Sequence, residues 1–234
     1  MSKLDEDHTR LISAVDLFEP LSPDGIERVA QSIPSKYFDV DEHVFTSAYR
    51  GEMFFLLLEG RVRVYRLEAG GEVTIGILEA GEMFGEAAFT SREGKSSFAQ
   101  AIAPAKVGFL TRSVFHRLIR REPELGIRVV ELLSERLSFY EQRIADIALK
   151  KVPARLASVI LQLVEQDGVI TGDEDYRILT RYTHEELASM IGAKRVAVSR
   201  AMKELREIGA VGHEGRHIVV EDTAALQRIA QKTA

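Results

Sequence analysis

THEELASMIGAKRVAVSRAMKELREIGAV, residues 183–211, is the stretch that organises the chain. Thr183 followed three residues later by Glu186 has the spacing of a capping box, in which each side chain accepts from a free backbone N–H at a helix start. Leu187 and Ile191 then share one helical face, and Gly192 permits the left-handed backbone that ends a helix and reverses the chain. A second helix is predicted from about Lys194. At one hundred degrees per residue, Val198, Ala201, Met202, Leu205 and Ile208 fall on one side. Val196, Ser199, Arg200 and Lys203 fall opposite, with Arg195 and Arg206 on the shoulders. The apolar side explains docking on the first helix, but docking does not require a basic outer face. Two readings stand at this point: a solvated amphipathic helix, or a helix that reads DNA through phosphate neutralisation, guanine hydrogen bonds and a thymine-methyl contact from Val196.

The residues just beyond the second helix weigh on the choice. Gly209 stops it, and AVGHEGRHIVVED alternates about Glu214-Gly215, the pattern of a small hairpin. Helix, turn, helix and hairpin make a winged helix.

Composition sets the outer bounds. At 234 residues and 45% hydrophobic, the chain can fold as two modest domains. No apolar run is long enough to span a bilayer and MSKLDEDHTR lacks the features of a secretion signal, so the expectation is a cytoplasmic protein with no membrane partner. The absence of cysteine excludes disulfides, thiolate zinc sites and iron-sulfur clusters held by thiolates. The net charge of −5 is uneven: residues 1–149 hold 18 Lys plus Arg against 24 Asp plus Glu, and residues 150–234 hold 13 against 12. Local patches rather than overall charge govern phosphate binding, so DNA contact is expected through the later part.

Residues 8–33 read as short helices about a turn at Pro20 to Gly25. From Tyr37 to Leu110 the pattern changes to short strand-like runs, VFTSA, EMFFLLLEG, RVRVYRLE, EVTIGIL, EMFGEAAF and FAQAIAPAKVGFL, punctuated by glycine, which points to an antiparallel roll or barrel. Residues 112–149 turn helical again, and Val130, Leu133, Leu137, Tyr140, Ile144 and Ile147 follow at spacings of three and four. Such a seam packs on its own domain or on the same helix of a second subunit, and two-fold DNA sites favour the second. Lys150 to Val152 read as a hinge, and Pro153 opens a helix that Asp167-Gly168 closes. Asp173 to Asp175 read as an acidic surface loop.

The 183–211 block resembles the DNA-binding half of the cyclic-AMP receptor protein and fumarate-nitrate regulator family of bacterial transcription factors. The likeness extends to Gly60, Gly71, Gly81 and Gly85, which match the glycines of that family's β-roll. It implies an α+β chain: an antiparallel, jelly-roll type β-roll of the cyclic-nucleotide-binding kind with N-terminal helices over residues 1–111, a long dimerisation helix region over 112–149, and a winged helix-turn-helix over 150–234. The implied activity is sequence-specific DNA binding as a homodimer, with RNA polymerase as a further partner near the acidic loop. Thr183, His184, Lys194, Arg195, Val196, Ser199, Arg200 and Lys203 are the residues the family pattern brings to DNA.

GEMFGEAAF, residues 81–89, looks like the family's phosphate cassette, with Gly85, Glu86 and Ala87 at its centre. Cyclic-nucleotide binders place an Arg-Ser or Arg-Thr pair about ten residues on, where this chain has Lys95-Ser96-Ser97; without arginine's planar fork, the pattern argues against cyclic AMP. Tyr140 and Glu141 stand where the family has its nucleotide-contacting hydroxyl pair, and a carboxylate is a poor substitute beside a phosphate. Arg136 and Glu141 also match an arginine and a glutamate around 2-oxoglutarate in the global nitrogen regulators, which keeps that ligand in play beside another small effector or none. The six histidines show no paired ligand spacing except His213 and His217, which flank the wing turn, so no metal site is expected. A constitutive DNA binder with an idle roll is the rival reading. An enzyme is the remote one, since no nucleophile elbow, P-loop or dinucleotide fingerprint occurs.

Overall fold

A computed structural model describes residues 3–46, 53–68, 71–85, 97–171 and 175–232. It divides into two compact units, residues 1–136 and 137–234.

The first unit opens with α1 (Lys3–Ser13), a single 3-10 turn (Asp16–Phe18) and α2 (Pro23–Ala30). Ser22 caps α2 by accepting from Gly25 N, and Pro23 occupies the first turn, where its missing N–H costs nothing. The turn expected over Pro20 to Gly25 is therefore shorter, because Pro23 to Gly25 already belong to the helix. Among the described residues eight strands follow: β1 (Ser35–Phe38), β2 (His43–Phe45), β3 (Met53–Glu59), β4 (Val62–Glu68), β5 (Gly71–Leu78), β6 (Met83–Phe84), β7 (Ser97–Ala101) and β8 (Ala105–Thr111). They form two antiparallel four-stranded sheets, ordered β1-β8-β3-β6 and β2-β7-β4-β5. This is the expected roll, with one added strand, β1, and with the last apolar run split into β7 and β8 around Pro104.

Strand β3 explains the layering. Its run of Phe54 to Leu58 is buried throughout, because successive side chains enter different cores. Phe54, Leu56 and Leu58 pack under the helices with Ile12, Phe18 and Phe115, while Phe55 and Leu57 face the second sheet with Val62, Ala99 and Val107. The two cores share the sheet that holds β3, since Met83 and Leu110 join the first core and Phe84 and Val107 the second. Gly60 makes the following turn at φ +84°, where an added Cβ would lie 2.1 Å from Pro104 O.

After β8 come α3 (Arg112–Arg121) and the long α4 (Glu124–Leu149), separated by Glu122 and Pro123. Leu125 and Val129 anchor the start of α4 in the helical core of the first unit. The seam residues Val130, Leu133, Leu137, Ile144 and Ile147 are exposed in the single chain, and Tyr140 is half-buried.

The second unit continues with α5 (Val152–Asp167), β9 (Gly168–Thr171), β10 (Asp175–Ile178), α6 (His184–Ile191), α7 (Arg195–Glu207), β11 (Val211–Glu214), β12 (His217–Val220) and α8 (Thr223–Ala230). Leu156, Ile160 and Leu163 of α5 form one core with Leu187 and Ile191 of α6 and with Val198, Met202 and Leu205 of α7. The hairpin β11–β12 is not isolated: the sheet order is β11-β12-β10-β9, so the wing is braced by two strands before the helix pair. The stretch read as an acidic loop contributes Asp175 to β10, and residues 173–174 lie outside the described residues.

Candidate nucleic-acid interface

The capping box forms as the spacing requires. Thr183 Oγ1 accepts from Glu186 N at 3.1 Å, and Glu186 Oε2 accepts from Thr183 N at 2.6 Å. Gly192 ends α6 at φ +62°, and Ala193 N donates back to Ala188 O at 2.9 Å. Such a cap contributes about 1 kcal/mol and fixes where α6 begins. Lys194 is the N-cap residue of α7, as the pattern indicated.

Val198, Ala201, Met202 and Leu205 are buried on the inner face of α7. Ile208, expected among them, is 56% exposed because the helix has ended and Ile208 is its C-cap residue. Val196 stands 63% exposed on the outer face. Around it, Lys194, Arg195 and Arg200 are exposed and have no carboxylate partner among the described residues. Lys203 differs, since its Nζ lies 3.6 Å from Glu207 Oε1 on the same helix. Ser199 is half-buried and committed: its Oγ donates to Arg195 O at 3.1 Å and lies 2.9 Å from His184 Nδ1. Burial pushes the His184 pKa down, and Arg206 and Arg195 push it further in the same direction.

The wing adds a cation that the helix pattern does not reveal. Arg216 is exposed beside Gly215, which makes the turn at φ +59°. A glycine-arginine pair at a hairpin tip was the signal available. His217 is tied into the sheet, with Nδ1 3.1 Å from Ile178 O and Nε2 accepting from Arg181 Nε at 3.3 Å, while His213 is exposed. Among the described residues no group of three or more metal-ligating side chains gathers.

The candidate effector residues are met only in part. Glu86, Ala87, Lys95 and Ser96 lie outside the described residues. Gly85 has φ +86°, and an added Cβ would approach Phe55 Cδ2 to 2.8 Å, so packing alone demands glycine there. Ser97 opens β7. Arg136 Nη2 donates to Met83 O at 2.8 Å and lies 3.8 Å from Glu82 Oε1, so α4 reaches the strand just before Gly85. Glu82 was not singled out by its sequence; burial raises its pKa, opposed by its bond from Glu79 N and by Arg136. On the second unit's share of α4, Tyr140 is half-buried and Glu141 is exposed.

Known families account for most of both units. Residues 35–122 match the cyclic nucleotide-binding domain, and residues 154–229 match the Crp-like helix-turn-helix domain. The chain belongs to the CRP/FNR family of DNA-binding transcription regulators. It is 25% identical over 222 residues to the CRP-like cAMP-activated global transcriptional regulator of Mycobacterium tuberculosis, covering 94% of this chain and 99% of that one. It is 28% identical over 194 residues to the global nitrogen regulator of Synechocystis, covering 82% and 86%. A solved CooA variant from Carboxydothermus hydrogenoformans shares the fold with a TM-score of 0.76 at 22% identity, covering 87% of this chain and 90% of that one. CRP/FNR proteins are regulators rather than enzymes, and as a family they bind DNA and act as dimers. Among the described residues no helix is long and apolar enough to cross a membrane.

Proposed function

We propose that this CRP/FNR protein is a homodimer that reads a two-fold operator with α7 in the major groove and the wing tip near the backbone. The observation that carries this reading is the trio Lys194, Arg195 and Arg200 around exposed Val196, without a carboxylate partner among the described residues. A guanidinium with no carboxylate of its own has its donors ready for guanine or phosphate. Thr183 and His184, at the N-terminus of α6, meet the DNA backbone, where free N–H groups and the helix dipole favour an anion. The exposed seam Val130, Leu133, Leu137, Ile144 and Ile147 supplies the dimer contact and sets the two reading helices about one DNA turn, roughly 34 Å, apart. In this scheme residues 1–111 sense, 112–149 dimerise and 150–234 read DNA, in the cytoplasm and alongside RNA polymerase.

The roll gates the reader through a small effector near Gly85, Ser97 and Arg136. A second reading, an effector-independent regulator, draws on one observation: Arg136 already spends a donor on Met83 O beside Glu82. Selection of bound duplexes from a randomised pool, by ligand-stripped protein with and without cyclic AMP or 2-oxoglutarate, tests both. A palindromic consensus whose affinity falls steeply with salt supports the dimeric reader. Enrichment that depends on one additive supports gating, and enrichment equal in all conditions supports the second reading. No enrichment with any additive counts against α7 as the reader.

A further inference from the structure

The second unit contains a cleft of about 110 Å³ between the end of α4, α5 and the end of α6, lined by Arg143, Asp146, Lys150, Arg155 and Ile191 among others. Its volume is close to the roughly 150 Å³ of a cavity that admits benzene, so it suits a small group rather than a nucleotide. The charges around it are unequally satisfied. Lys150 Nζ is held by Asp146 Oδ1 at 2.9 Å and Ser158 Oγ at 3.0 Å, and Gln142 Nε2 donates to the same carboxylate oxygen at 2.7 Å. Arg143 Nη2 donates to Ser189 O at 3.0 Å. Arg155 Nη1 donates to Ile191 O at 2.8 Å and, more weakly, to Gly192 O at 3.5 Å.

Arg155 is left with work undone. Its Nε is buried without a hydrogen-bond partner, and no other side-chain bond or carboxylate reaches it among the described residues. The Nε and Nη2 atoms form one edge of the guanidinium, the edge whose two parallel N–H groups match the two oxygens of a carboxylate or phosphate. Lysine cannot reproduce that fork. A desolvated donor without an acceptor is costly, which makes an oxyanion the natural complement.

We infer that the Arg155 cleft is a binding site for a small oxyanion, taken bidentate on the Nε/Nη2 edge, with Arg143 adding positive charge and Lys150 offsetting the Asp146 carboxylate. The same guanidinium holds the last carbonyls of α6, the helix that precedes the reader. An oxyanion there fixes the rotamer of Arg155 and with it the end of α6, whether or not the roll binds anything.

The experiment uses the full chain, with inorganic phosphate and, separately, acetate titrated at ionic strength held constant with chloride. The side-chain Nε–H resonance of Arg155 in arginine-labelled protein reports the site directly and needs no variant. The expected result is a saturable shift with at least one probe, and a saturable rise in melting temperature that is at least ten-fold weaker in affinity in Arg155→Lys. Saturation by phosphate alone assigns a phosphate-bearing ligand and saturation by acetate alone a carboxylate. Two results overturn the inference: no saturable shift with either probe, or an equal response in Arg155→Lys, which would mean an adventitious ion only.

Discussion

His184 Nδ1 lies 2.9 Å from Ser199 Oγ, which joins the first turn of α6 to α7 on the face where the unpaired cations gather. The hydroxyl has one proton, and when it is given to Arg195 O at 3.1 Å, His184 Nδ1 is the donor in the pair and Nε2 carries a lone pair unless the ring is protonated.

That geometry predicts two pH effects of opposite sign. The folded-state pKa of His184 is lowered by burial and by Arg206 and Arg195, so the unfolded chain binds the extra proton first. The stability it allows is fully present above about pH 6.5 and is lost as pH falls below that value. A DNA phosphate reverses the balance, since only protonated His184 can donate from Nε2. Operator affinity should rise as pH falls from about 7.5 to 6, approaching one proton taken up per site, while the melting temperature of free protein falls below about pH 6.5. Both slopes should vanish in His184→Gln, measured by binding titrations and thermal melts at fixed ionic strength. An affinity slope unchanged in the variant would remove His184 from the interface.

Arg200 and Lys203 should separate by their prior commitments. Arg200 has no carboxylate partner among the described residues, whereas Lys203 faces Glu207 at 3.6 Å. Arg200→Ala is expected to weaken specific binding by about 1–3 kcal/mol, roughly five- to 150-fold, and Lys203→Ala by less. A larger loss at Lys203 in parallel titrations would reassign the principal contact.

The seam can be tested without disturbing the fold of the single chain. Leu137 is 59% and Ile144 68% exposed, so Leu137→Glu with Ile144→Glu removes little packing within a protomer. Sedimentation should show monomers with unchanged circular dichroism and loss of binding to two-half-site duplexes. A persistent dimer would place the contact elsewhere.

Glu82 gives a second pH signature, in the acid range. Its pKa is raised chiefly by burial, so its contribution to stability is full below about pH 4.5 and is lost as pH rises through the raised value. Asp16, also raised by burial, adds to the same slope. In Glu82→Gln the fall in melting temperature above pH ~4.5 should shrink, and in Glu82→Gln with Asp16→Asn it should shrink further. Melts that keep the parental slope in the double variant would contradict the assignment.

Two glycines should respond unequally to alanine. At Gly60 the new Cβ would meet Pro104 O at 2.1 Å as well as the positive φ, and at Gly215 only the φ of +59° matters. Gly215→Ala should cost ~1–2 kcal/mol and Gly60→Ala clearly more, read from denaturant midpoints. Equal losses would mean that the turn before β4 can yield.

Some of this molecule was written locally. The capping box at Thr183, the αL glycine at 192 and the proline starts of α4 and α5 depend on contacts a few residues apart, so residue type and spacing were enough to place them. The same holds for the outer face of α7, because helical geometry alone sends Val196 and Arg200 away from Val198 and Met202. The roll was legible as strands and turns, but not its order; β1 went unseen because its partner β8 lies far away in sequence, and the β9–β10 brace because Asp173 to Asp175 read as a surface loop.

The sequence by itself determined the elements, the winged helix and the family, since propensity, periodicity and caps act over one or two turns. Only the tertiary structure decided which cations are unpaired. Lys203 and Arg200 look alike on a helical wheel, and Arg136 and Arg155 look like surface charges. Glu207 holds Lys203 from one turn along the same helix, but Met83 O and the last carbonyls of α6, which hold Arg136 and Arg155, are set by how the chain packs. A guanidinium's chemistry depends on what already holds it, and that is a property of the fold.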